Sequence, residues 1–262
     1  MMRTRYARRL LRRFSLLLIL CLGTTQVAVG DPQRPLSKPA LDPKIAADIA
    51  EILAANETRK LAEAHLDRGE ACLAQLHPEQ AIVEFRSVIE LFRHPPPTGA
   101  PSTAFGTFAA QRIAWSYAAM GDFPEAIAWL DTSIRDYPDW CGFYQASWEV
   151  EAETIRRVWR IASLQPGEAE PQLRRLAARQ LPWGAEPLTR DKNWNRRLHD
   201  VASREASLVL GIYLLKRGQT APAKTFFAKA AAHPYSKRES WYVLAAGYLR
   251  QIRSNQVAQT SP

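Results

Sequence analysis

The side chains that could do chemistry in this 262-residue chain are few and badly spaced for it. Its five histidines are His65, His77, His94, His199 and His233. None pairs at a metal-ligand spacing, and no H-E-x-x-H is present. Glu149, Glu151 and Glu153 alternate along a predicted helix and so do not share one face. They read as a solvated surface. His199 and Asp200 are adjacent, which on a helix points them about 100° apart, so they do not make a catalytic pair. No G-x-S-x-G, phosphate loop or dinucleotide fingerprint occurs. These residues predict no catalytic group, no metal and no cofactor. The region that would hold an enzyme site, if there is one, is the irregular 141–203 stretch with Trp159, Trp183, Asp191, Trp194, His199 and Asp200.

Charge excludes another class. The formal net charge is +9, but Arg3, Arg5, Arg8, Arg9, Arg12 and Arg13 lie in the first thirty residues, which carry no acid. Without those six the 35 basic residues become 29 against 26 acidic ones, a net +3. So weak a balance does not favour a nucleic-acid partner. The same thirty residues read as an export signal. A basic start precedes the apolar run Phe14 to Leu22, and Ala28-Val29-Gly30 places small residues where a signal peptidase cuts. The run is short for a bilayer span, which takes about 20 residues. An uncleaved anchor is the alternative and the only membrane contact expected. Leu20 before Cys21 argues against a lipoprotein cut, and the arginine pairs lack a twin-arginine consensus. The mature chain is expected in a periplasmic or extracellular space. Cys72 and Cys141 remain there.

What must position any site is a helical chain. Residues 31–43 hold four prolines and form an extended leader. From Lys44 the pattern is helical, broken at 94–104 and 182–191, and nothing alternates with period two. Three segments share a spacing. Gly69, Ala114 and Gly211 each stand 12 before an alanine, at 81, 126 and 223. Four residues after those alanines come Phe85, Leu130 and Phe227. Pro78, Pro124 and Pro222 open second helices, where a missing amide costs nothing. Gly121 and Gly218 end first helices at the left-handed position, and Leu76 takes that place in the first copy.

The spacing resembles the tetratricopeptide repeat, a 34-residue helix–turn–helix. Copies fall at 62–95, 107–140 and 204–237. Residues 141–181 make a degenerate pair, about 143–163 and 168–181, joined by Gln165-Pro166-Gly167. Residues 192–203 extend the first helix of the last copy or form a short helix before it. The capping box Ser236 to Glu239 opens a capping helix at 237–253. Residues 254–262 form a flexible tail. The resemblance implies an all-α, right-handed superhelical solenoid over 44–253. Cys72 and Cys141, two repeats apart, are then too distant for a disulfide, and Cys72 is a core residue. Most of the eight tryptophans pack between helices.

The resemblance also implies a concave groove lined by first helices, near places 2, 5, 9, 12 and 13 of each unit. In this chain those are Glu63, Leu66 and Glu70; Phe108, Gln111 and Trp115; Gln145, Glu149 and Glu153; and Leu208, Ile212 and Lys216. The Lys and Asn pattern with which some such domains clamp a C-terminal carboxylate is absent. A basic or amphipathic peptide suits the carboxylates better. The function implied is a non-enzymatic protein-binding scaffold of the cell envelope. A self-assembling structural component is the alternative reading, and an enzyme the third.

Overall fold

Proline sets where several of the helices begin. The computed structural model describes residues 43–92, 102–136, 145–180, 192–232 and 240–260. The chain divides into Met1–Ala46 and Ala47–Pro262. Of the first unit only 43–46, the opening turn of a helix, are described, and the rest of this account concerns the second. The helices are α1 (Pro43–Ala74), α2 (Pro78–Leu91), α3 (Ser102–Met120), α4 (Phe123–Arg135), α5 (Gln145–Ala162), α6 (Pro166–Ala177), α7 (Lys192–Lys216), α8 (Thr220–Ala231) and α9 (Ser240–Thr260). Pro43, Pro78, Pro124 and Pro166 all stand in the first two places of their helices, where the ring's fixed φ suits the turn and no helical amide is lost. Among the described residues the regular structure is α-helical throughout.

Four hairpins result: α1/α2, α3/α4, α5/α6 and α7/α8. Three of their turns repeat one geometry. His77 N–H donates to Cys72 O at 2.9 Å, Asp122 to Tyr117 O at 3.0 Å, and Gln219 to Leu214 O at 2.9 Å. Each such bond wraps a residue of positive φ, Leu76 (61°), Gly121 (82°) and Gly218 (74°), which is the Schellman way of ending a helix. Leucine is costly there, by about 1–2 kcal/mol. Its side chain is where α9 passes: a Cβ on Gly247 would stand 3.1 Å from Leu76 Cδ2. A fourth turn of this kind closes α6, with Gln180 N–H on Arg175 O (2.7 Å) around Arg179 (φ 64°).

The helix crossings depend on matched sizes. A Cβ on Gly69 would stand 2.3 Å from the Phe85 ring, and one on Gly211 would stand 2.5 Å from the Phe227 ring. In the second hairpin the partner is the smaller Leu130, and the small residue is Ala114; both are fully buried. Ala81, Ala126 and Ala223, expected at helix crossings, are also fully buried.

Beyond the hairpins, α4 packs on α5 and α6 on α7, so each hairpin leans on the next, and α5 also packs on α7. α7 takes neighbours from α5, α6, α8 and α9 and is buried over every residue from Val201 to Ile212. Its polar residues are accommodated there. Ser203 donates to Ala177 O (2.8 Å) and Ser207 to Ser203 O (2.7 Å). Arg204 pairs with Glu205 at 3.1 Å and lies 4.3 Å over the Trp241 ring.

Several boundaries differ from the sequence reading. Pro166 and Gly167 do not join the two helices of the third pair; they begin α6, and the joint is Ser163-Leu164-Gln165. α3 starts at Ser102, inside the stretch read as a break. Of the two readings of 192–203, the structure shows the first, since they are continuous with 204–216. α9 is described from Ser240, its expected first residues 237–239 lying outside the described residues, and it continues to Thr260, so most of the supposed flexible tail is helical. The export signal, most of the proline-rich leader, the capping box and Cys141 lie outside the described residues. Cys72 carries a free thiol, half-buried against the core.

Enlarging Gly69 to alanine is expected to destabilise the protein by about 1–3 kcal/mol through overpacking. Phe85→Leu in the same chain recovers part of that loss, because it recreates the Ala114/Leu130 pairing. Urea unfolding of the two single variants and the double variant measures the coupling. Additive effects would refute the matched-size account.

Candidate functional site

The first helices of the hairpins, α1, α3, α5 and α7, carry the residues expected to line a groove. Arginine straps tie these helices to each other and to their partners. Glu70 on α1 receives Arg112 Nε of α3 at 2.7 Å, and the Arg112 guanidinium lies 5.4 Å over the Phe108 ring. Glu151 on α5 pairs with Arg197 of α7 at 2.6 Å. Asp131 on α4 receives Arg156 Nε of α5 at 2.9 Å, and Arg156 also meets Glu153. Asp200 on α7 pairs with Arg179 beyond α6 at 2.7 Å. Trp115 of α3 and Trp159 of α5 meet edge to face, 5.0 Å between centroids.

The expected groove residues separate into three sets. Trp115, Leu208 and Ile212 are 5%, 1% and 3% exposed and belong to the core, so they do not face an open groove. Register assigns these residues to one side of their helices but does not tell what else packs there. Glu63, Leu66, Glu70, Phe108 and Gln111 are half-buried or exposed and stay at the surface of α1 and α3. Their carboxylates are matched, Glu63 by Arg59 at 3.0 Å and Glu70 by Arg112. That removes the acidic character expected of this face. Glu149 is exposed, and the Gln145 side chain lies outside the described residues. Glu151 and Glu153, read as solvated, are half-buried ion-pair acceptors.

Lys216 has a different task from that of a groove residue. Its Nζ donates to Met120 O at the end of α3, at 2.5 Å. The cation there offsets the negative end of the helix dipole. A Cβ on Gly121 would stand 2.5 Å from that Nζ, the movable end of a flexible side chain, so it is the φ of 82° that calls for glycine there. Two groups of α9 reach the same edge. Tyr248 Oη donates to Ala119 O at 3.2 Å, and Arg250 donates to Ala74 O at the end of α1 at 2.8 Å. The Tyr248 ring stacks on Phe227, 4.5 Å apart and 8° from parallel. No feature of the sequence reading pointed to Tyr248 or Arg250, which lie 129 and 176 residues from their acceptors.

Among the described residues, those considered for catalysis do not converge; the Trp194 side chain is outside them. Trp159 is fully buried against Trp115, Asp200 is held by Arg179, and His199 is exposed. Trp183 and Asp191 lie outside the described residues. Among the described residues no group of three His, Cys, Asp or Glu is arranged to hold a metal ion, and no helix is long and apolar enough to cross a membrane. A polar cluster that includes a histidine joins α1 to α2. His65 Nδ1 and Arg68 Nε stand 2.7 and 2.9 Å from Glu84 Oε2. Beside it is an open depression of about 530 Å³, lined by His65, Val83, Arg86, Ser87, Glu90 and Leu91.

Two titrations follow from these environments. Burial works to raise the Glu153 carboxyl, but hydrogen bonds from Arg157 and Arg156, with their charges, outweigh it and hold the group below its ordinary value of 4.5. Burial pushes the Tyr248 hydroxyl up from 10.0 to about 12.

Comparison of the chain with protein-family models, with curated proteins and with solved structures finds no match.

Because the folded-state value of Glu153 is depressed, its contribution is present above pH 4.5 and is lost as pH falls through the lower folded value. Glu153→Gln is therefore expected to lower stability at pH 7 and to make the loss below pH 4.5 shallower, as read by urea midpoints across pH. An acid limb parallel to that of the native protein would refute the pairing. For Tyr248 the sign is opposite. Its neutral form is favoured in the fold, so the contribution is complete below pH 10 and disappears as pH rises toward about 12. Tyr248→Phe is expected to flatten that alkaline limb while retaining the stack on Phe227, and an unchanged limb would contradict the assignment.

Proposed function

We propose that the chain is a non-enzymatic binding scaffold of the tetratricopeptide kind, exported from the cell, which receives a protein or peptide partner on the face made by its first helices. The observation that carries this reading is the recurrence of one hairpin. The same small-to-large contact stands between Gly69 and Phe85 and between Gly211 and Phe227. The same wrapped turn follows Cys72, Tyr117 and Leu214. Recurrence of that kind stacks hairpins so that first helices lie side by side and offer an extended surface. The expected export signal supports an envelope or extracellular setting, and His199, exposed beside an Asp200 already held by Arg179, gives catalysis no support.

The surface available on this face is the α1 and α3 part, with Glu63, Leu66, Phe108 and Gln111. Its carboxylates are already matched by arginines. The partner that fits is an amphipathic segment, with its apolar side over Leu66 and Phe108, in preference to a purely basic one.

A second reading, self-assembly, draws on Ile49, Ile52, Leu53 and Leu61 of α1, which are all exposed. Light scattering of the mature chain separates the two, since a monomer leaves those residues to another role.

A photo-reactive amino acid at Gln111 is expected to capture a discrete partner in the native envelope. The same group at Val83, which is 64% exposed on α2, serves as the control and should capture none. Equal capture at both positions, or none at either, would sink the proposal.

A further inference from the structure

The net charge of +3 outside the first thirty residues conceals a division along the chain. Residues 47–140, the stretch of the first two hairpins, carry fourteen acidic and seven basic residues. Residues 141–262 carry ten acidic and nineteen basic. The front half therefore stands at −7 and the back half at +9. Ion pairs use part of this charge within each half. Glu57, Glu63, Glu70 and Glu84 meet lysine or arginine in front, and Arg174, Arg179, Arg197 and Arg217 meet carboxylates behind. The surplus stands at the surface. Asp48, Asp67, Glu79 and Glu125 are exposed in the front half, and Arg175, Arg196 and Arg253 in the back half.

Exposed apolar side chains are divided in the same way. Among the described residues, Ile49, Ile52, Leu53, Leu61 and Val83 are exposed on the first hairpin, and Leu164 is the one large apolar side chain exposed in the back half. Ile49, Ile52 and Leu53 lie within little more than one turn of α1, with Asp48 beside them. An apolar centre with a charged rim is how protein interfaces are built. A helix that lies on a lipid surface carries Lys and Arg around its apolar face. The charged neighbours of this patch are Asp48 and Glu51, which an anionic lipid surface repels.

We propose that the occupant of the α1 patch is the basic back half of a second copy, so that copies join front to back. This deepens the self-assembly reading given above. A partner of one sign, such as nucleic acid or anionic lipid, is drawn to one half of the chain and repelled by the other. A second copy satisfies both halves at once. The contact uses different surfaces on the two copies, so it differs from a two-fold dimer. It leaves one front and one back free, and further copies add until a ring closes or a filament grows. At physiological salt, charges act over about 8 Å, so their attraction works in the contact itself and in orienting the approach. Phe108 and Gln111 are not part of the patch.

The test is sedimentation equilibrium of the chain in its exported form, at low and at high salt. At low salt the native chain is expected to exceed the mass of a dimer as its concentration rises, and at high salt to return to the monomer. The front variant Asp48→Lys/Glu57→Lys and the back variant Arg175→Glu/Arg196→Glu/Arg253→Glu are each expected to associate about tenfold more weakly when alone. Mixed in equal amounts they should form dimers and go no further, because each pair then holds one intact front and one intact back. That rescue also shows that both variants fold. A native chain that stays monomeric at low salt, a dimer that ignores salt, or a mixture that associates no better than its components would overturn the inference. Flotation with phosphatidylglycerol vesicles checks the other class of partner. Vesicle binding that the back variant loses, in a chain that does not self-associate, would assign the basic half to a lipid surface instead. Photo-capture at Gln111 in the front variant keeps this idea apart from the scaffold reading. Capture retained where association fails leaves the scaffold standing and defeats the front-to-back contact. Association intact with no capture defeats the scaffold reading alone and supports the contact.

Discussion

The first and last hairpins are each held by a ring entering a space that only a small residue leaves open. Phe85 lies where any Cβ on residue 69 would be, and Phe227 does the same at residue 211. Neither half of such a pair makes the contact alone. A larger first residue would drive the helices apart, and a smaller second one would leave a cavity in a region packed to crystal density. Ala114 with Leu130 divides nearly the same volume differently. With the crossing fixed in this way, the first helix of each hairpin is presented at a set angle, and the next hairpin can lean against it.

Stacking of this kind places helix ends together, and helix ends carry unsatisfied carbonyls. The fold answers with cations and hydroxyls brought from distant helices. Ala74 O takes Arg250, Ala119 O takes Tyr248, Met120 O takes Lys216, and Ala177 O takes both Ser203 and Lys229. These donors also interact favourably with the negative ends of the helix dipoles. Lys216 reaches Met120 O beside Gly121, whose φ of 82° calls for glycine, and the left-handed Leu76 serves as a surface for α9.

The hairpins were legible in the sequence because what specifies them is local. Proline at a helix start, a left-handed residue at a helix end and a small residue sixteen places before a large one all act within a single unit. The second helix of the irregular pair was misplaced for a related reason. Gln165-Pro166-Gly167 looks like a turn, yet proline in first position starts a helix as readily as it stops one, and Gly167 has open space around its Cα. Burial of Trp115, Leu208 and Ile212 was not legible. Register assigns a residue to a face but says nothing of what else arrives at that face. Nor was the neutralisation of Glu70, because Arg112 stands 42 residues away and is chosen by the stacking of α1 on α3.

The core holds α9 along its length: Trp241, Leu244 and Ala245 in its first half and Ile252 in its second are buried, and Tyr248 stacks on Phe227. The same Phe227 fills the space beside Gly211, so it belongs both to the last hairpin crossing and to the seat of α9. A change that shifts this ring therefore acts on the last hairpin crossing and on the seat of α9 together, whereas Lys216 and Arg250 act at exposed helix ends whose carbonyls water can also satisfy.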